Sequence, residues 1–323
     1  MGRIDSETKE YVKRPEVFAD LFNHLIYEGR EVIKPDALSE LDTTATFIPF
    51  DEKGKAFPVQ KYRDVLKNAV VMEDANAAYA LILGIENQTG THYAMPVRNM
   101  GYDAYNYAAQ VTAIARNNRK NAADETSTEF LSGFKKGDKI LPVITLVVYF
   151  GLKPWDGPIS IYEMLATKEE RILKYVPNYK MNLIAPISMS DEEVDRFRSN
   201  FRELAAYIKR VNDKQALYEL TQDERFKHID PLVANIANDV TNSRLKIEVN
   251  EKGEVDMCVA IVGIREDGKI EGRAEGRAEG KTEGKIETAK KMIALGKLTF
   301  EEIAECTDLS IEKIKELAVA KTA

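Results

Sequence analysis

The stretch that most restricts how this chain can fold is Tyr79–Arg98, YALILGIENQTGTHYAMPVR. Its apolar run Tyr79–Ile85 has the length of a strand and ends in a carboxylate and an amide, Glu86 and Gln88. Side chains two apart on a strand point the same way, so these two project together from the polar end of a buried strand. Upstream, across the short polar break Glu73–Asn76, Lys61–Met72 reads as a second strand. A hairpin folded about Ala75 pairs each residue with the one equally far on the other side, and that rule sets Asp64 opposite Glu86.

The rest of the chain supplies further strands, and helices to cover the sheet. Pro15–Gly29 carries Val17, Phe18, Leu21, Phe22, Leu25 and Ile26 at helical spacing behind a first-turn proline and reads as the first helix, with Glu16 and Asp20 one turn apart on it. Residues 30–60 read as a connecting loop with a short strand at Thr44–Ile48. From Pro96 to Arg119 the spacing is helical again, with Val97, Met100, Tyr105, Ala108, Val111, Ile114 and Ala115 as the expected buried stripe. Asn121–Lys139 is polar and reads as a loop, made basic by Lys135, Lys136 and Lys139. Ile140–Phe150, ILPVITLVVYF, is the most continuous β-branched run and reads as a buried central strand. Asn182–Met189 reads as another strand, Ser190 with Glu193 as a capping box opening one long helix to about Val211, and Pro231–Val240 as a further helix. Asp256–Ile264 fits either a strand or the end of a helix.

At Asp267 the composition changes. Glycines recur at 268, 272, 276, 280 and 284, with a row of acids and a row of Lys or Arg at the same four-residue spacing. Interior glycines cost roughly 1 kcal/mol each in a helix, and each charge row stacks like on like, so a solvated tether is the expectation. A helix that self-associates by matching acidic rows to basic rows is the alternative. Beyond it, EEIAECTDLSIEKIKEL has the shape of a helix-turn-helix with Ile303, Ala304, Leu309, Ile314 and Leu317 as its core. The expected division is a main domain over 1–265, the repeat over 266–287 and a small helical module over 288–323.

Composition narrows the chemistry. A formal net charge of -7 means that any nucleic-acid contact must come from a local basic patch. Cys258 and Cys306, and His24, His92 and His228, are too scattered for a zinc site, so any metal is expected to be oxygen-ligated. The start MGRIDSETKEY has no apolar core of a signal peptide, and no run approaches the ~20 apolar residues of a membrane span. A cytoplasmic protein with no membrane partner is expected.

Two acids at neighbouring strand ends are the minimum for a hard divalent cation, which takes one or two carboxylates with waters and phosphate oxygens. The backbone carbonyl of Asn87 is a further ligand, and Gln88 stands where it would orient an attacking water. On these residues the chain resembles the Rpn family of recombination-promoting nucleases, also grouped as transposases, within the PD-(D/E)XK nuclease superfamily. The resemblance is carried by Arg63-Asp64, by LILGIENQT with E-x-Q replacing the superfamily's E-x-K, by MPVR and YDAYNYAAQ, by LPVITLVVYFG, by the PWDGP turn and by the Gly-Arg-Ala-Glu tail. It covers nearly the whole chain.

The resemblance implies an α/β fold with a mixed central sheet flanked by helices, a restriction-endonuclease-like core. It implies Mg²⁺-dependent hydrolysis of DNA phosphodiester bonds, with Mn²⁺ as substitute metal, Asp64 and Glu86 as ligands and Gln88 in the lysine's position. The superfamily's further acid in the first helix falls to Glu16 or Asp20. Arg98, Arg116, Arg119 and Lys120 are the candidates for phosphate contacts. The competing reading is a nuclease-like fold without catalysis that binds DNA or self-assembles as a scaffold.

Overall fold

Two helices open the chain, α1 (Arg3–Lys13) and α2 (Pro15–Tyr27). The computed structural model describes residues 3–41, 44–47, 59–62, 64–74, 77–120 and 127–319. The strands β1 (Leu38–Glu40), β2 (Thr44–Phe47), β3 (Val59–Tyr62), β4 (Val65–Asp74) and β5 (Ala77–Gln88) follow. β2 and β3 pair with each other, whereas β1, β4 and β5 join a five-stranded sheet. Then come α3 (Met95–Lys120), α4 (Ser127–Ser132), β6 (Val143–Tyr149), the short helices α5 (Ile161–Met164) and α6 (Glu170–Leu173), and β7 (Asn182–Ile184).

The sheet order is β1-β4-β5-β6-β7, antiparallel as far as β5 and parallel from β5 to β7. This mixed α/β arrangement makes β5 the central strand, with β6 beside it. From Val65↔Ile85 to Met72↔Ala78 the hairpin keeps the register expected for a fold about Ala75, with a shift only at Asp74↔Ala77. Ala75 itself, Ile48 and Arg63 lie outside the described residues.

Both faces of the sheet are covered, which is why β5 and β6 are apolar almost throughout. On one face Leu66, Ile82 and Val143 pack against Tyr107 of α3, and Val147 packs against Met95. On the other, α1 packs on β4 and β5, and Lys67 runs under α2 with its ammonium 5.2 Å from the Phe18 ring. That buried ammonium donates to the Lys13 carbonyl at 2.7 Å, a cation satisfied at the C-terminal end of α1.

The expected stripe on α3 is out of phase. Met95, Pro96, Asn99, Tyr102 and Asp103 are buried, while Val97, Met100 and Val111 are more than a third exposed. Polar bonds select this face. Asp103 accepts from the Thr145 hydroxyl at 2.5 Å and from the Tyr179 hydroxyl at 2.6 Å, fastening α3 to β6 and to the segment before β7. The expected loop over 121–139 contains α4, and 121–126 lie outside the described residues. The strand expected over Asn182–Met189 ends at Ile184 and passes into a 3₁₀ turn at Pro186–Ser188.

The single helix expected from Ser190 to Val211 is instead α7 (Asp191–Asp195) and α8 (Phe201–Arg210). Its capping box is present: Ser190 Oγ accepts from the Glu193 amide, and the Glu193 carboxylate accepts from that of Ser190. The break follows from Asp20, whose carboxylate accepts the amide protons of Arg198 and Ser199 and the Ser199 hydroxyl, groups a continuous helix would turn inward along its own axis. After α9 (Lys214–Glu219) and α10 (Pro231–Thr241), α11 (Met257–Leu295) begins.

The chain divides into two compact units, Met1–Ile261 and Val262–Ala323. In the second, the glycine repeat is helical within α11, correcting the expected tether. Its Ala, Glu, Lys and Arg residues are good helix formers, and Ala289 further along is fully buried, so one end of the repeat is anchored. Gly296 at φ +64 ends the helix in the left-handed conformation glycine favours. α12 (Phe300–Thr307) and α13 (Ile311–Val319) follow, and Ala289, Ile303 and Ile314 pack together with Ala304, Leu309 and Leu317 around them. Among the described residues no helix is long and apolar enough to cross a membrane.

Candidate active site

The C-terminal end of β5 meets the start of β4 beside α1 and the first turn of α3. Because Val65 pairs with Ile85, the next position outward sets Asp64 beside the Glu86–Asn87 peptide, and Asp64 Oδ2 accepts the Asn87 amide proton at 2.9 Å. Parallel pairing aligns Glu86 with Val147 and Gln88 with Tyr149, so Glu86 and Gln88 share the face that α3 covers. Glu86 is wholly buried and Gln88 half-buried.

A buried carboxylate needs a partner, and α3 supplies one. Arg98 Nη2 lies 2.9 Å from Glu86 Oε2, and its Nε donates to the Tyr102 hydroxyl at 3.1 Å. Burial alone would lower the arginine's pKa. Glu86 and Tyr102 outweigh that and raise it above the ordinary value, so Arg98 is a fixed cation. In this structure the guanidinium expected at a phosphate is paired with Glu86.

Above this pair is an open polar pocket of about 300 Å³ lined by Asp5, Asp64, Asn87, Gln88, Thr89, Gly90 and Arg98. Glu86 lies beneath it, covered by Arg98. Asp5 comes from α1, a helix the sequence reading missed because it is polar and its buried residues are only Thr8, Tyr11 and Val12. Four residues on, Lys9 Nζ stands 3.8 Å from Asp64 Oδ1.

The expected first-helix acids lie elsewhere. Glu16 and Asp20 line a separate cavity of about 420 Å³ beside Arg14 and Arg198, and Asp20 is committed to the α7–α8 turn. The acid that reaches the Asp64 pocket from the first helix is Asp5.

The remaining basic candidates are remote. Arg116 lies 18 residues beyond Arg98 on α3, about 27 Å away at ~1.5 Å per residue. Arg116, Arg119 and Lys120 are exposed there. Asn118 Nδ2 donates to the Gly133 carbonyl and to Asp138 Oδ2, drawing the 133–138 turn and its exposed Lys136 to the same end of the helix. Gly133 sits against Ala115 so closely that a Cβ would come within 2.9 Å of the alanine's methyl.

The donor chemistry fits a hard divalent cation: carboxylates and amide oxygens line an open pocket beside Arg98, with no sulfur or imidazole among its lining residues. Among the described residues no three acidic, histidine or cysteine side chains converge. Comparison with protein-family models, with curated proteins and with solved structures finds no match.

Proposed function

We propose that the protein is a divalent-metal-dependent DNA endonuclease of the Rpn type, with a restriction-endonuclease-like core. The observation that supports this reading is the gathering of Asp64, Glu86 and Gln88 where β4 begins and β5 ends beside a polar pocket, in the register expected from the hairpin spacing. Asp64, Glu86 and the Asn87 carbonyl would hold the cation. A bound Mg²⁺ polarises a phosphoryl oxygen and brings the pKa of water toward neutrality.

The chain's own groups have definable tasks. Asp64, on the pocket wall, keeps Oδ2 on the Asn87 amide, which fixes its carboxylate, and has Oδ1 3.8 Å from the Lys9 ammonium. Gln88 accepts a hydrogen bond from the incoming water and orients it without adding charge. Arg98 must leave Glu86 for that carboxylate to serve as a ligand, and once released it suits a phosphate through two parallel N–H donors. The exposed cations at the far end of α3 then extend the DNA contact away from the cut.

Cleavage of supercoiled plasmid with titrated Mg²⁺ and Mn²⁺ tests the reading. Asp64→Ala and Glu86→Ala each abolish cleavage while DNA binding persists; cleavage unchanged in both variants, or absent from wild type with either metal, overturns it. A second reading is favoured by the Arg98–Glu86 pair itself, which satisfies the buried carboxylate without a metal. On that reading the protein is a DNA-binding or self-assembling scaffold, and salt-sensitive DNA affinity without cleavage is the expected result.

A further inference from the structure

Hydrolysis of a phosphodiester loads negative charge onto the non-bridging and departing oxygens, and a neutral Gln88 cannot offset it. Arg98 is engaged here by Glu86 and Tyr102, and it reaches a phosphate only once a cation has taken Glu86 from it. Lys67 sends its ammonium to the Lys13 carbonyl on the opposite face of the sheet. Lys9 is differently situated. It stands one helical turn from Asp5, on the face of α1 that Asp5 turns toward the pocket. Its ammonium is 3.8 Å from Asp64 Oδ1, beyond hydrogen-bond length, and the side chain is 30% exposed. It is close enough to act on the site and loosely enough held to turn toward a ligand.

We infer that Lys9 supplies from α1 the positive charge that the E-x-Q strand lacks, as a catalytic residue that contacts a non-bridging phosphate oxygen. This rests on the nuclease reading above. In the step it serves, a water oxygen bonds to phosphorus as its proton passes to solvent. The P–O ester bond breaks with its electron pair on the departing oxygen, which is protonated by solvent. Lys9 keeps its proton throughout. Packed against β4 and β5 through buried Thr8, Tyr11 and Val12, α1 carries Asp5 to the pocket and Lys9 to Asp64.

Three measurements on the full chain test the inference: single-turnover cleavage of a duplex at saturating Mg²⁺, Mn²⁺ affinity by calorimetry without DNA, and thermal stability. Lys9→Met is expected to lower the cleavage rate about 100-fold, the scale of one electrostatic stabiliser. It should tighten Mn²⁺ by about threefold, because a like charge beside Asp64 is removed. The melting temperature should stay within about 2 °C of wild type, since a partly exposed, loosely paired lysine contributes little stability. Lys9→Arg is expected to recover at least a tenth of the lost rate. A Lys9→Met enzyme that cleaves within threefold of wild type overturns the role of Lys9 and leaves the nuclease reading intact. A rate lost in step with melting temperature, and not recovered by arginine, also overturns it, because that is the behaviour of a structural residue. Wild type inert with both metals removes the nuclease reading and this inference together.

Discussion

Arg98 Nη2 lies 2.9 Å from Glu86 Oε2, and the carboxylate it pairs with has no solvent exposure. The pair supplies a buried carboxylate at the end of the sheet with its counter-charge from α3. Removing only the arginine strands a buried charge, which costs about 3–5 kcal/mol where a pair is fully desolvated. Arg98 is partly exposed, so Arg98→Met is expected to destabilise by about 2–4 kcal/mol in urea unfolding. Adding Glu86→Gln should return more than half of that loss. Additive effects of the two substitutions would show that the groups are not coupled.

The basic end of α3 should govern affinity rather than chemistry. Replacing Arg116, Arg119 and Lys120 by glutamate is expected to weaken duplex DNA binding at least tenfold at moderate salt and to reduce the slope of log affinity against log salt by about 2–3. The cleavage rate at saturating DNA should change less than threefold. An unchanged salt slope would exclude this end of the helix from the DNA contact.

His24 should make the fold acid-sensitive. It stacks on Phe197 with ring centroids 4.2 Å apart, and burial, helped by Arg196 and opposed by Glu193 and Asp20, lowers its pKa below the ordinary histidine value. Between that lowered value and ~6.5 the unfolded chain binds a proton that the folded chain does not, so stability rises with pH. The contribution is complete above ~6.5 and is lost as pH falls through the folded value. His24→Phe keeps the stacking and removes the titration. Between pH 7.5 and 5.5 the melting temperature of wild type should therefore fall more than that of the variant, and equal falls would count against this assignment.

The repeat offers a direct test of helix against tether. Nothing lies within 4 Å of a Cβ at Gly272, Gly276 or Gly280, so alanine meets no obstruction there. Each Gly→Ala change should strengthen the local helix by about 1 kcal/mol, read as slower amide hydrogen exchange across the repeat. Exchange at coil rates in wild type and variants alike would remove the helix.

The helical module was legible because two short helix-forming segments flank a turn and offer Ile303, Ala304, Leu309, Ile314 and Leu317 as one core, which Ala289 of α11 joins. The α3 face was not, because its inward side is defined by Asn99, Tyr102 and Asp103, polar residues that a hydrophobic pattern assigns to solvent. Nor was the break between α7 and α8, which depends on a carboxylate at Asp20, remote in sequence from the amides it holds.

The same division runs through the site. Local sequence by itself determined the hairpin register and so the neighbourhood of Asp64, Glu86 and Gln88, because strand alternation and a short turn leave one pairing that buries both apolar faces. Only the tertiary structure decided that Arg98 closes over Glu86 and that α1 brings Asp5 and Lys9 to Asp64. Those partners come from helices before and after the hairpin. Charged side chains carry no periodic signal of where they will meet, so their pairing is fixed by the packing of α1 and α3 on the sheet.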